Sequence, residues 1–432
     1  MNIESFYSEF LLSRGICTDS RKAEKGQIFF ALKGENFDGN QYASSAIDLG
    51  CKLAIIDDPS YCENDKYLVV EDVLVFLQEL ARYHRQKLNI PIIAITGSNG
   101  KTTTKELIYS VLSQKYKTLA TQGNLNNHIG VPLTLLKIRN EDMAIIEMGA
   151  NHPGEIDFLC KIARPGYGII TNIGKAHLEG FGGFEGVKNT KAELYRFLSS
   201  QKGTVFINGN NEILRELSEQ GEFRKVYYMD GPEVMCDGYV INSLEKLRVA
   251  IRFPEKNELH EADLQITGAY NLENILAAAC VGSYFDVLPN EVMLGISSYK
   301  SSNNRSQFIE TEKNKVILDA YNANPTSMSE AIKNFRTIKH HQKILILGDM
   351  LEMGEYAQHE HENILHSLDP DEFSGVYLVG NEFYTFKNQF RYHFFTSVEK
   401  LIEHFNENPV NNSFILVKGS RGIALEKILI KL

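Results

Sequence analysis

Short, continuous apolar runs recur along the chain, alternating with segments in which apolar positions fall three and four residues apart. Over residues 1–86 the runs "QIFFALKG", "CKLAIID" and "KYLVVED" alternate with "YASSAIDLG" and "VLVFLQELARYHRQKL". The first set predicts strands and the second helices, which together make a small α/β unit. A second unit opens at "NIPIIAITGSNGK", where an apolar strand runs into a glycine turn and then a helix carrying Leu107, Ile108, Val111 and Leu112 at helical spacing. The buried strands "MAIIEMGA" and "YGIITNIG" follow, each ending in polar residues. Beyond the polar stretch "SYKSSNNRSQ" a third unit alternates "KVILDAY", "KILILGD", "GVYLVGN", "YHFFTS" and "FILVKGS" with helices. Two of those helices are expected to open with capping boxes, Ser327 with Glu330 and Thr396 with Glu399. The predicted architecture is α/β with three domains, at 1–86, 87–299 and 300–432. Strands alternating with helices imply mostly parallel, doubly wound sheets, whose ligands sit at the carboxyl ends of the strands.

Composition narrows the function classes. The 432 residues carry 45 Lys+Arg against 55 Asp+Glu, a net charge of −10, which argues against a broad nucleic-acid surface but leaves room for a local basic pocket. No apolar run approaches the roughly 20 residues of a membrane span. The segment "MNIESFYSEFLLSRG" carries acids and lacks the basic region and apolar core of a secretory signal. Cys17, Cys51, Cys62, Cys160, Cys236 and Cys280 are scattered without a CxxC pair, so reduced thiols in a cytoplasmic protein are expected.

The most specific chemistry lies in "GSNGKT", Gly97, Ser98, Asn99, Gly100, Lys101 and Thr102, with Thr103 following. Glycines let successive N–H groups curl around an anion, and the following helix adds its positive end. In that setting Lys101 reaches terminal phosphates and the Thr102 hydroxyl sits on magnesium. Glu147 ends one buried strand and His177 follows another, so a carboxylate and an imidazole at strand ends are candidates to share a divalent cation. Val187, Lys191, Leu194 and Leu198 fall at steps of four, three and four, which puts Lys191 on an inward helical stripe. A lysine snorkelling to the surface is the plainer reading of that position. The alternative is a buried amine whose neutral, nucleophilic form is accessible. Asn271 and Asn274, one helical turn apart, suit either N-capping or a nucleotide base. Spacing alone assigns no role to "DAYNANPTSM", "GDMLEMGE" or "VKGSRG".

Together these residues resemble the Mur ligases of bacterial cell-wall synthesis, over essentially the whole chain. "TGSNGKTTTKE" is similar to the family's nucleotide loop, and Lys101-Thr102-Thr103 separates it from the related folylpolyglutamate synthetases. "GNLNNHIGVPLTLL" resembles the segment after the second strand of the central domain, with Asn126 and Asn127 retained and His128 where an acid is more usual. "EMGANHPGEI" and "NIGKAHLEGFG" look like the magnesium-binding pieces, and Lys191 in "TKAEL" matches the lysine that these ligases carbamylate. "TDSRKAEKGQIFFALKGENFDGN" resembles the uridine-nucleotide segment, with Ser20 and Arg21 as contacts. "DAYNANPTSM" and "GDMLEMGE" favour the branch that adds D-alanyl-D-alanine to a UDP-N-acetylmuramoyl tripeptide. "INGNNE" departs from the family's acidic pair at Asn210 and Asn211.

The resemblance implies a domain for the UDP end, a central P-loop ATPase domain and a Rossmann-like C-terminal domain. It implies ATP and magnesium as cofactors, with Lys101, Lys191 and His177 catalytic and Thr102, Glu147, His177 and a carbamylated Lys191 around the metal. Asn271, Asn274, Arg305 and Asp319 join the loop as nucleotide contacts, and Asn126, Asn322 and Asn324 join Ser20 and Arg21 as substrate contacts. It implies a reaction through an acyl phosphate; a monomer without nucleic-acid partners is expected, although no sequence feature fixes the oligomeric state. Another amide ligase of the same fold, or a silent nucleotide-binding regulator, are the competing readings; the presence of Glu147, His177 and Lys191 together argues against the second.

Overall fold

The computed structural model describes residues 2–243, 246–300 and 305–432; residues 301–304 of the polar stretch before the third unit lie outside them. By compactness the chain divides into two units, one of residues 1–94, 116–150 and 154–167, the other of residues 95–115, 151–153 and 168–432.

The first unit holds a four-stranded parallel sheet in the order Ile16–Cys17, Ile28–Phe30, Leu53–Ile56, Tyr67–Val69. The three longer strands are those the apolar runs predict. Helix Val73–Lys87 starts where the Asp72 carboxylate accepts from the Val75 N–H at 2.8 Å, satisfying one of the donors that a helix start leaves open. Its stripe of Val73, Phe76, Leu77, Leu80, Ala81 and His84 is buried, partly beneath helix Ile3–Leu11, whose Phe6 ring meets Phe76 edge-on at 5.0 Å. On this helix His84 is held as a neutral ring, facing the Tyr7 hydroxyl through Nδ1 and the Ile138 carbonyl through Nε2, each at 2.9 Å. Burial pushes its pKa below the ordinary histidine value, against the raising effect of the Ile138 carbonyl.

A six-stranded sheet runs in the order Arg224–Tyr228, Thr204–Asn208, Tyr167–Ile170, Ile92–Thr96, Met143–Glu147, Thr118–Ala120. Within the second unit, helix Lys101–Leu112 packs on helices Asn271–Tyr284 and Pro289–Ser298. The unit also contains an antiparallel three-stranded sheet, Asp237–Asn242, Leu247–Phe253 and Glu258–Leu264, which the pattern reading missed. Its six-stranded C-terminal sheet is ordered Gln307–Glu310, Lys315–Asp319, Phe414–Lys418, Lys343–Gly348, Gly375–Val379, His393–Phe395. All five strands expected there form and pair in parallel, and Gln307–Glu310 adds an antiparallel edge.

Neither expected capping box forms. The helix over 325–336 begins three residues earlier than Ser327 as cap requires. Asn324 is the cap: its side chain accepts from Ser327 N at 2.9 Å, and Ser327 Oγ answers Asn324 N at 3.1 Å. Pro325 occupies the first helical position, where its missing N–H costs nothing and its φ is pre-set. Likewise Ser397, not Thr396, precedes helix Val398–Glu407. The stripe around Lys191 is inward as predicted, with Val187, Lys191, Leu194 and Leu198 all buried. Two helices, Phe184–Lys191 and Glu193–Ser200, carry it across a turn at Ala192. The stripe lies against strand Tyr167–Ile170, where a Cβ on Gly168 would come within 2.5 Å of Leu198 Cδ1.

Candidate functional site

The glycine loop is built from its own backbone outward. Strand Ile92–Thr96 is wholly buried, and helix Lys101–Leu112 has Gly100 as its N-cap. Gly97 and Gly100 take φ of +140° and +79°, which side-chain-bearing residues rarely adopt. Space demands glycine as well: a Cβ at 97 would lie 2.0 Å from Thr171 Oγ1, and one at 100 would lie 2.6 Å from Asn274 Oδ1. Between them the chain is pinned from the segment after strand Tyr167–Ile170. Ser98 N donates to Asn172 O at 3.0 Å and Ser98 Oγ to Gly174 O at 3.0 Å. Asn99 N donates to Asn172 Oδ1 at 2.9 Å, and Thr171 Oγ1 donates to Asn99 O at 2.6 Å. Lys101 Nζ donates to the Gly97 and Ser98 carbonyls at 2.8 and 3.2 Å, so the ammonium sits on the loop it is expected to serve. Thr102 is buried and Thr103 half-buried on the first helical turn. A cradle that a single methyl group would fill, at a helix N-terminus with a lysine beside it, fits a phosphate chain and its magnesium.

Asn271 and Asn274 stand behind this loop. Asn271 Nδ2 donates to Thr267 O at 2.7 Å, Asn274 Nδ2 to Asn271 Oδ1 at 2.9 Å, and Thr104 Oγ1 to Asn274 Oδ1 at 3.0 Å. Neither side chain caps helix Asn271–Tyr284, whose N-cap is Tyr270. Their chain of hydrogen bonds ties that helix to the loop helix instead.

Three segments to which spacing assigned nothing gather at the carboxyl ends of the C-terminal strands. Asp319 Oδ2 accepts from the buried Lys418 ammonium, and Asp319 Oδ1 from Ser306 N at 3.1 Å. The Arg305 guanidinium lies 3.6 Å from the Tyr321 ring centroid and that of Arg421 lies 5.6 Å from it, so two cations share one ring. Asn322 is exposed, while the buried Asn324 is already engaged: besides capping its helix, its Nδ2 donates to Asn99 Oδ1 at 2.7 Å. Asn324 therefore links the C-terminal sheet to the glycine loop.

His177, with φ of +52°, and Glu352, with φ of +63°, both take left-handed backbone, and His177 Nδ1 pairs with Glu352 Oε2. Left-handed backbone costs each of these residues about 1–2 kcal/mol. The adjoining His177 imidazole, over the opposing effect of burial, holds the Glu352 carboxyl below its ordinary range. Nearby, Lys175 Nζ meets the buried Glu360 at 2.5 Å, and Lys175 N donates to Thr326 Oγ1 at 3.1 Å. Lys191 is only 2% exposed, which rules out the snorkelling reading, and its Nζ lies 5.1 Å from the Phe181 ring centroid.

The remaining candidates belong to the first unit. Glu147, buried at its strand end, accepts from Asn126 Nδ2 at 2.9 Å and donates its own N–H to Thr121 Oγ1 at 3.0 Å. Ser20 and Arg21 sit on a short 3-10 turn, and Arg21 reaches both Asp19 oxygens at 2.9 Å with its side chain 86% exposed. Asn211, in the second unit, caps helix Glu212–Glu219 through Leu214 N at 3.1 Å, a role an acid would fill equally, so nothing in the structure explains the amide there. Sequence reading passed over Thr171, Asn172, Glu352, Lys418 and Arg421. Their one shared signal is a polar residue just past an apolar strand.

Comparison with known proteins gives the family and the fold. Models of the Mur ligase family catalytic domain, the Mur ligase middle domain and the Mur ligase glutamate ligase domain match residues 13–92, 95–282 and 304–421. A UDP-N-acetylmuramoyl-tripeptide–D-alanyl-D-alanine ligase of Bacillus subtilis is 35% identical over 96% of this chain and 92% of its own. The crystal structure of MurF from Acinetobacter baumannii superposes with a TM-score of 0.84 at 30% identity, covering 98% of this chain and 97% of that one. MurF ligase from Thermotoga maritima in complex with ADP gives a TM-score of 0.85 at 26% identity over 98% and 97%. With three Mur ligase models matched along its length and relatives covered nearly end to end, the chain belongs to the Mur ligase family of ATP-dependent, amide-forming enzymes.

Proposed function

We propose that the chain joins D-alanyl-D-alanine to a UDP-N-acetylmuramoyl tripeptide, at the expense of ATP, in peptidoglycan precursor synthesis. The observation that carries the reading is the glycine loop, pinned by Thr171 and Asn172 on one side and by Asn324 on the other. The loop N–H groups and Lys101 receive the phosphates, so charge that builds on the transferring phosphoryl group meets donors already in place. The tripeptide's terminal carboxylate attacks the γ-phosphorus, ADP leaves, and the dipeptide amine then attacks the acyl phosphate and expels phosphate. Asn271 and Asn274 act from behind the loop by fixing its helix. Arg305 and Asp319 belong to the nucleotide contacts, Asn322 to the dipeptide end, and Ser20 and Arg21 to the uridine-diphosphate end. Asn126 orients Glu147, and Asn324 contributes through Asn99.

Magnesium, when bound, offsets phosphate charge; Thr102, His177 and a Lys191 carbamate would hold it, and Glu147 stays in that set on the resemblance. Burial of Lys191 supports the carbamate, because desolvation favours the neutral amine that reacts with carbon dioxide. We place the domain limits at 1–86, 87–299 and 300–432, and the enzyme, a monomer, in the cytoplasm. No helix among the described residues is long and apolar enough to cross a membrane.

Phosphate release is the test, measured with ATP against a panel of UDP-muramyl peptides and amines. The expected result is turnover only when a UDP-tripeptide and a D,D-dipeptide are both present. Preference for a single amino acid would move the chain to another branch of the family, and ATP turnover indifferent to both substrates would remove the ligase reading.

A further inference from the structure

The second unit contains a cleft of about 530 Å³ that none of the preceding chemistry uses, lined by Asn242, Lys246, Arg248, Asp263, Lys315, Ile338, Lys339, His340 and Phe414. Four of these side chains are permanent cations and one is a carboxylate, in a chain whose net charge is −10. Two sheets and the segments leading into them build it: the antiparallel Asp237–Leu264 sheet, with the segment before strand Leu247–Phe253, supplies Asn242, Lys246, Arg248 and Asp263, and the C-terminal sheet, with the segment before strand Lys343–Gly348, supplies Lys315, Ile338, Lys339, His340 and Phe414. The C-terminal residues come from the amino ends of the strands. Lys315 and Phe414 open theirs and face each other in register, and Ile338, Lys339 and His340 precede strand Lys343–Gly348. Asp319 and Lys418 stand at the carboxyl ends of the same two strands. At roughly 3.3 Å per residue, a five-residue strand puts the cleft about 13 Å from that rim, so it is separate from the proposed nucleotide site.

The charges there are unevenly satisfied. Arg248 is met by Glu261 at 2.8 Å and by Asp263 at 3.9 Å. For Lys246 and Lys339 no ion pair forms among the described residues, and both are exposed. One wall is aromatic: His340 stacks on His341 with ring centroids 4.7 Å apart and lies 6.1 Å from Phe414. We infer that this cleft is a second anion site, for a multiply charged phosphate chain of the oligophosphate class. A single exposed ammonium–phosphate pair contributes little, so an occupant must engage several cations at once. That requirement selects a di- or triphosphate over a lone phosphate. Because its cations come from two sheets, the occupant bridges them and stabilises the arrangement in which the cleft is formed.

The test is calorimetric titration with tripolyphosphate and, separately, with GTP, into the full-length protein and three variants. The Lys246→Glu/Lys339→Glu double variant is expected to lose a binding class present in the wild type, weakened by about tenfold or more and salt-sensitive as ion pairing requires. The charge-preserving Lys246→Arg/Lys339→Arg variant keeps that class, as does Lys101→Ala, in which the glycine loop is impaired. GTP binding more tightly than tripolyphosphate to that class would assign a nucleotide, through the His340 and Phe414 wall; equal affinity would assign the phosphate chain alone. Unchanged isotherms in the Glu double variant, whose melting curve confirms folding, would overturn the inference. So would loss of all binding in Lys101→Ala, which would place every phosphate at the glycine loop. None of these readouts depends on turnover, so they stand apart from the ligase reading.

Discussion

The glycine loop and the Arg21 turn are both proposed to receive phosphate-bearing ends of substrates, yet they are built differently. Around the loop, Ser98, Asn99 and Lys101 each have partners in place, and two glycines are dictated by space as well as by backbone. At the turn, Arg21 extends into solvent and pairs with Asp19. The loop is pre-organised, so binding there does not have to order it first, whereas at the turn the backbone is ordered but the Arg21 side chain, 86% exposed and held by Asp19, is not fixed by packing. The contrast matches the proposed roles. Donors near the transferring phosphoryl group must be fixed before charge develops, while the far end of the substrate has only to be held.

The hardest blow to that contrast is Gly97→Ala. Its Cβ would meet Thr171 Oγ1 at 2.0 Å and the Thr171 N at 3.0 Å, at a φ of +140°. Displacing pre-placed donors costs roughly 10²–10³-fold in rate, so steady-state kcat should fall by at least that much when read below a melting temperature that the strained loop lowers. An active Gly97→Ala enzyme would mean that the loop adapts on binding. Lys191→Ala comes next, with a loss of roughly 10–100-fold, the range for removing support from a metal site. Formate at high concentration should restore part of that loss if the missing group is a carboxylate, and Lys191→Met should not be restored. Equal response of the two variants to formate would leave Lys191 as a packing residue.

Arg21→Ala probes the other side of the comparison. Exposed pairs are weak, so KM for the nucleotide-peptide should rise by about fivefold with kcat unchanged. An equal fall in kcat at saturation would place Arg21 near bond making. The smallest effect is one of stability. His84 is buried neutral with its pKa depressed, so its contribution is full above about pH 6.5 and is lost as pH falls through the folded-state pKa. Urea midpoints followed between those limits should decline in the wild type and flatten in His84→Gln, which can keep the hydrogen bond to Ile138 O. Parallel slopes would remove His84 as the titrating group.

Much of the fold is legible in the sequence because its signals are local. Strand Ile92–Thr96, the glycines after it and the stripe through Lys191 are set by neighbours in the chain, and each is found where the pattern puts it. Two further features also carry local signals. Leu247, Val249, Ile251 and Phe253 alternate with exposed Arg248 and Arg252 as a half-buried strand should, and Pro325 marks the first helical position that Asn324 caps. Other features had no local signal. The Asn99–Asn324 pair spans 225 positions and the Asn99–Asn172 bond 73. The Asp319–Lys418 pair spans 99.

By itself the sequence determined the alternation of strand and helix, the glycine turn at residues 97–102 between strand and helix, and the inward stripe that buries Lys191. Burial period and backbone freedom are properties of a few adjacent residues. Only the tertiary structure decided that Asn271 and Asn274 brace the loop helix without capping their own, that Glu352 meets His177, and that Lys246 and Lys339 line one cleft. A side chain's hydrogen bonds and ion pairs are fixed by which strand ends the sheet order makes neighbours. That order is a choice among long-range pairings that no local pattern encodes.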